Sequence, residues 1–95
     1  MDMDQTFPRH GPDIASRVIR GEAVIVEPAE GRWSLLSEVG TRIWELSDGR
    51  HSLADIARAI VQEFEVEEEQ ARADLVEFVD DLAGRGLLQL PSGPY

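Results

Sequence analysis

The chain contains no cysteine and no lysine, and its two histidines, His10 and His51, stand far apart. Without cysteine there is no disulfide framework and no thiolate metal site. Neither histidine has a partner at helical or strand spacing, so each reads as a surface residue rather than a metal ligand. No apolar run approaches the roughly 18 residues that a membrane span needs. The acidic start, Met1-Asp2-Met3-Asp4-Gln5, lacks the apolar stretch of a signal peptide. A cytoplasmic location and no membrane partner are expected. There is also no Gly-x-Ser-x-Gly elbow, no phosphate-cradling glycine loop and no His-Glu-x-x-His motif. Neither catalysis nor a cofactor is expected of this chain.

What the chain does have is acid. Its net charge is −10 over 95 residues, with arginine the only strongly basic residue. Residues 1–47 hold eight acids and five arginines, and residues 48–95 hold eleven acids and four arginines. A field of that sign opposes nucleic acid, whose affinity depends largely on cations that neutralise phosphates. Between Glu63 and Asp81 nine acids accompany one arginine, Arg72. That run reads as a solvated helix face, because it lacks the glycine-centred oxygen spacing of a calcium loop. Asp80 and Asp81 are adjacent, so on a helix they point about 100° apart and cannot share a proton.

The length suits one domain with a single core. Residues 1–12 show no periodicity and read as a flexible lead-in, residues 13–90 as the folded domain, and residues 91–95 as a flexible tail. Ile14 to Arg20, Ala23 to Glu27 and Arg32 to Leu36 have strand composition, with turns at Gly21-Glu22 and Pro28-Ala29-Glu30-Gly31. Short turns between consecutive strands imply an antiparallel meander. Alternation in the third strand sets Trp33 and Leu35 on one face and Arg32, Ser34 and Leu36 on the other.

Ser37 then offers a helix N-cap for Glu38 to Leu46, and Asp48-Gly49 stops that helix. Ser52 with Asp55 forms a near capping box for a second helix, whose apolar positions are Leu53, Ile56, Ala57, Ile60, Val61 and Phe64. A third helix runs from near Glu67 to about Arg85 on a stripe of Ala71, Leu75, Phe78, Val79 and Leu82. Leu87 to Leu90 can return as a short strand. Three strands followed by three helices predict an α+β fold with the helices on one face of the sheet. The third strand leads straight into a helix and is therefore a candidate open edge, a row able to accept an added strand. Trp44 reads as core. Trp33 reads as core ahead of its other use, contact with an incoming ligand. Val76, about 120° from the centre of the apolar stripe, is a candidate to flank a groove.

The segment Leu36-Ser37-Glu38-Val39-Gly40, with Ile43-Trp44 and Asp48-Gly49, resembles the signature of PqqD-like proteins. Leu53-Ala54-Asp55-Ile56-Ala57, Asp74 before Leu75, and Gly86-Leu87-Leu88 extend the resemblance over about residues 14–90. Ser37 stands where members often have asparagine, and both residues cap helices. The resemblance implies a winged helix-turn-helix-like fold and a recognition element for modified-peptide pathways. It also implies a precursor leader peptide that pairs along the third strand and lies against the third helix. The implied partner is a maturation enzyme, either a leader peptidase in lasso-peptide pathways or a radical SAM enzyme in cofactor biosynthesis. Carried onto this chain, Arg32, Trp33, Ser34, Leu35 and Leu36 would supply backbone pairing, and Ala71, Arg72, Leu75, Val76 and Val79 the groove wall. The competing readings are a winged-helix transcription regulator, opposed by the charge, and a structural adaptor for an enzyme subunit.

Overall fold

The computed structural model describes residues 2–27 and 31–93. Three strands, β2 (Ala15–Ile19), β3 (Glu22–Glu27) and β4 (Arg32–Leu35), pair antiparallel in the order β2-β3-β4. Three helices follow: α1 (Glu38–Leu46), α2 (Leu53–Phe64) and α3 (Glu68–Gly84). A second, two-stranded sheet joins β1 (Arg9–His10) to β5 (Leu88–Gln89). The α+β layout expected from the sequence is therefore present, and β4 is its third meander strand. Of the turn expected at Pro28-Ala29-Glu30-Gly31, the first three residues lie outside the described residues.

Alternation decides which side of the sheet is dry. Ala23 and Ile25 are fully buried, whereas Val26 on the opposite face is exposed. The helices cover the inner face and bury Trp44, Leu53, Ile56, Leu75, Val79 and Leu82 against it. Each such side chain contributes about 1.5–3 kcal/mol. The indole of Trp44 stays satisfied in this core because its Nε1 donates to Ser16 Oγ at 3.1 Å. Both serine caps form. Ser37 Oγ accepts from the Gly40 amide at 3.1 Å, and Ser52 and Asp55 complete both arms of a capping box. That box accepts the Ser52 amide on the Asp55 carboxylate and thereby holds the carboxyl below its usual range, against the opposing effect of burial.

Residues 2–12, where the sequence suggests a lead-in, are hydrogen-bonded along their length. The first-turn amides of α2 have no partner within the helix. Thr6 accepts from the Leu53 amide and Met3 from the Ala54 amide, each at 2.9 Å. Pro8 accepts from Gly49 at 2.8 Å, and Gly11 donates to Leu87 at 2.9 Å. His10 lies flat on Trp44, ring centroids 3.7 Å apart, with Nε2 2.8 Å from the Trp44 carbonyl oxygen. The residue read as part of a tail thus shields the largest core side chain. At the other end, Pro91 accepts from the Phe7 amide and Gly93 donates to Gln5. No helix among the described residues is long and apolar enough to cross a membrane.

Candidate functional site

Strand β4 is hydrogen-bonded to β3 alone among the described residues. Among the described residues its far edge is occupied by no other strand, and β5 pairs instead with β1. The phase of that edge follows from one bond. The Leu36 amide donates to the Ala23 carbonyl at 2.9 Å, in register with the pairing of Val24 to Leu35 and Ile25 to Ser34. In an antiparallel ladder successive residues turn their main-chain groups to opposite sides. Arg32, Ser34 and Leu36 therefore bond to β3, while the N–H and C=O groups of Trp33 and Leu35 point away from the sheet. Two donors and two acceptors stand open.

The side chains of the same two residues lie on the outer face. Trp33 is 68% exposed and Leu35 59%, so the expectation that Trp33 belongs to the core is overturned. The physical reason is the pleat. Ser34, not Trp33, shares its face with buried Ile25, and the helices cover only that face. Trp33 pairs across the strand with Val26, and Leu35 with Val24, giving an apolar outer surface at the sheet margin.

On the inner side, α3 runs alongside the chain from Ser34 to Gly40. Near the end of α3, Arg85 Nη2 donates to Ser34 Oγ, and it also donates to Glu27 Oε2 at 2.8 Å. Arg85 Nη1 reaches Asp81 at 3.3 Å. Two turns back along α3, the Phe78 ring lies against Gly40, so closely that a Cβ there would meet Phe78 Cε1 at 3.1 Å. Asp74, Phe78, Asp81 and Arg85 fall at i, i+4, i+7 and i+11, a single helical flank. A hollow of about 310 Å³ lies between this flank and the start of α1, lined by Ser37, Val39, Ala71, Asp74, Leu75 and Phe78. It continues over Asp74, Glu77, Phe78 and Asp81. The floor is apolar and the rim is acidic.

Glu27 locks one end of this groove. Its side chain is 7% exposed and occupies an inward position of β3. Hydrogen bonding from Arg85 holds its carboxyl below the ordinary carboxylate range, against the opposing effect of burial, with help from Ser34 and Arg32. The guanidinium of Arg85 is correspondingly held in its charged form, chiefly by Glu27. Arg32 approaches the same carboxylate at 3.7 Å.

The family model described as coenzyme PQQ synthesis protein D (PqqD) matches residues 22–88, from the start of β3 to the first residue of β5. The chain belongs to the PqqD family. Two solved structures are similar to it. TbiB1 in complex with the TbiA(beta) leader peptide aligns at a TM-score of 0.78 and 30% identity, covering 85% of this chain and 94% of that one. Lasso peptide synthetase B1 complexed with the leader peptide aligns at 0.76 and 28%, covering 87% and 98%. Among curated proteins no sequence matches.

In this PqqD family member the residues named from sequence separate into four groups. Arg32, Trp33, Ser34, Leu35 and Leu36 lie together on β4 and the step into α1. Ala71 and Leu75 line the hollow beside Phe78. Val79 is fully buried in the core. Arg72 borders a separate hollow with Ala54, Arg58, Val61 and Glu68, on the side of α3 toward α2, and Val76 follows it one turn later. Sequence reasoning missed Glu27 and Arg85 as a pair. The signal was a carboxylate at an inward position of an alternating strand, which needs a cation to be buried. It also missed Asp74 and Asp81, whose place depends on which flank of α3 meets β4.

Proposed function

We propose that this chain is a leader-peptide recognition module in the biosynthesis of ribosomally made, post-translationally modified peptides, lasso peptides foremost. The observation that carries the reading is the open main-chain row of Trp33 and Leu35 beside the Asp74–Phe78–Asp81 flank of α3. An extended leader would add to the sheet as a further strand, next to β4. Four such hydrogen bonds, at about 0.5–1.5 kcal/mol each, give roughly 2–6 kcal/mol. One leader leucine or aromatic side chain buried on Ala71, Leu75 and Phe78 adds roughly 1.5–3 kcal/mol. Main-chain bonds hold the register and the anchor supplies discrimination. Arg32, Ser34 and Leu36 keep β4 on β3, and the clasp of Arg85 on Glu27 and Ser34 sets the spacing between strand and helix.

The module is non-catalytic in this reading and presents its leader to a separate maturation enzyme, a leader peptidase or a radical SAM enzyme. Support comes from the two similar structures, both of which hold leader peptides, one of them in a protein called lasso peptide synthetase B1. Phosphate binding in the manner of a winged-helix regulator is opposed by the acids along α3. The test is anisotropy titration with labelled TbiA(beta) leader and with leaders from precursor frames encoded beside this chain. Saturable binding is expected, weakened at least about fivefold by Leu35→Pro. Val18→Pro on the other sheet margin should leave it unchanged. Absence of saturable binding, or equal affinity for Leu35→Pro, refutes the reading.

A further inference from the structure

The geometry points to a peptide read on both of its faces. The recognised segment carries apolar side chains at positions i and i+2, standing against Trp33 and Leu35 on the outer face, and at the inward positions basic side chains over Asp74, Glu77 and Asp81 beside the one apolar anchor on Ala71, Leu75 and Phe78. This rests on strand addition at β4 and specifies the chemistry of what is added.

On the outer face two roles coincide in the same residues. Trp33 and Leu35 provide both the open main-chain groups and the outward side chains of β4. Any strand bonded to those groups sets alternate side chains directly beside them, with Cβ atoms about 4.5–5.5 Å apart. Natural sheet edges are commonly blunted with charge or proline. Here the two residues at the margin are a tryptophan at 68% exposure and a leucine at 59%, backed by Val26 at 43%. The one charged residue of β4, Arg32, lies on the other face and leans toward Glu27. Apolar partners at i and i+2 would cover this surface; polar ones would leave it wet.

On the inner face charge decides. Residues of the added strand at i+1 and i+3 face the groove, where Asp74, Glu77 and Asp81 surround Phe78. Gln70 donates to Asp74 Oδ1 and Arg85 to Asp81 Oδ2, and all three acids line the groove. The same acids argue against the other obvious occupant, a second copy of the chain. Two molecules of net charge −10 meeting edge to edge would bring these flanks together. A basic, alternating peptide meets neither obstacle.

The experiment is selection of a phage-displayed library of random peptides, about twelve residues long, on the full chain, with the best sequence then titrated against variants. We expect enrichment of apolar residues two apart with lysine or arginine between or flanking them. The selected peptide should lose roughly tenfold or more in affinity on Trp33→Ser/Leu35→Ser, which keeps every main-chain group. It should lose a comparable amount on Asp74→Asn/Asp81→Asn. If Leu35→Pro abolishes binding while the double serine variant stays within about twofold, the two-face reading falls and strand addition stands. Enriched peptides without a two-residue period, or with acids inward, overturn it as well. If Leu35→Pro binds like the wild type, strand addition itself falls and takes this inference with it. A dimer in sedimentation that Leu35→Pro dissolves assigns the edge to a second copy and overturns the proposal. Circular dichroism melts confirm that each variant is folded.

Discussion

Proline scanning of β4 separates the main-chain roles of neighbouring residues. Proline removes one N–H, and its ring is compatible with extended backbone. At position 34 the lost donor is the one that pairs with β3 opposite Ile25, a fully buried residue. Leaving that buried carbonyl unpaired costs about 1–3 kcal/mol. The substitution also deletes the hydroxyl that bonds Glu27 and Arg85. For a domain of this size each kcal/mol moves the midpoint by about 4–8 °C, so Ser34→Pro should lower Tm on the order of 10 °C or more. At position 35 the lost N–H faces solvent and the side chain is already 59% exposed. Leu35→Pro should therefore melt within a few degrees of the wild type. Its cost appears on binding, where the leader carbonyl opposite loses its donor, worth about 1–3 kcal/mol or roughly 5- to 150-fold in Kd. Paired thermal melts and leader titrations read both quantities. Equal destabilisation by the two prolines would show that the alternation of bonded and open groups along β4 has been placed out of phase.

The same alternation predicts amide exchange in the free protein: Trp33 and Leu35 exchange fast, while Ser34 and Leu36 are protected, measurable by NMR; protection of Trp33 in the absence of ligand would contradict it. Gly11→Ala should be strongly destabilising, because the added Cβ would lie 2.5 Å from the Gly86 carbonyl oxygen, and a melt like that of the wild type would show that the N-terminal strap yields there. Ser52→Ala should cost about 0.5–2 kcal/mol in denaturant unfolding, through loss of the cap on α2. Glu27 titrates in the folded protein below its ordinary value of 4.5. Its contribution to stability is therefore complete above that value and is lost as pH falls through the lower folded one. The Tm gap between wild type and Glu27→Gln should close as pH falls below 4.5, and parallel curves would refute the clasp.

Regular elements were legible because their signals are local. Ser37 and Ser52 each announced a helix start through a hydroxyl three residues before the amide it serves, and the alternation in Ala23 to Glu27 announced a strand with one dry face. The open edge was legible too, since β4 passes into α1 with nothing left to pair it. Trp33 was misread because size and hydrophobicity favour burial, whereas the pleat gives its face no helix to meet. The strap of residues 2–12 left no trace, since its work is done by main-chain carbonyls of Met3, Thr6 and Pro8 that any sequence carries. The stripe on α3 located the buried centre, but a stripe has two flanks. Contacts distant in sequence, Arg85 with Glu27 and Ser34 and Phe78 with Gly40, say which flank borders the groove.

The bonding of Gln5 to Gly93 and of Phe7 to Pro91 has a practical corollary. Residues 5–7 and residues 91–93 lie at one corner of the fold, so tethers attached to either segment leave from that corner. Linking the two segments through a short flexible bridge should give a cyclic or permuted form of the domain with its architecture intact. New termini could then be opened at the bend between α1 and α2, which would allow a fused cargo to be moved around the body while the margin at Trp33 and Leu35 stays uncovered.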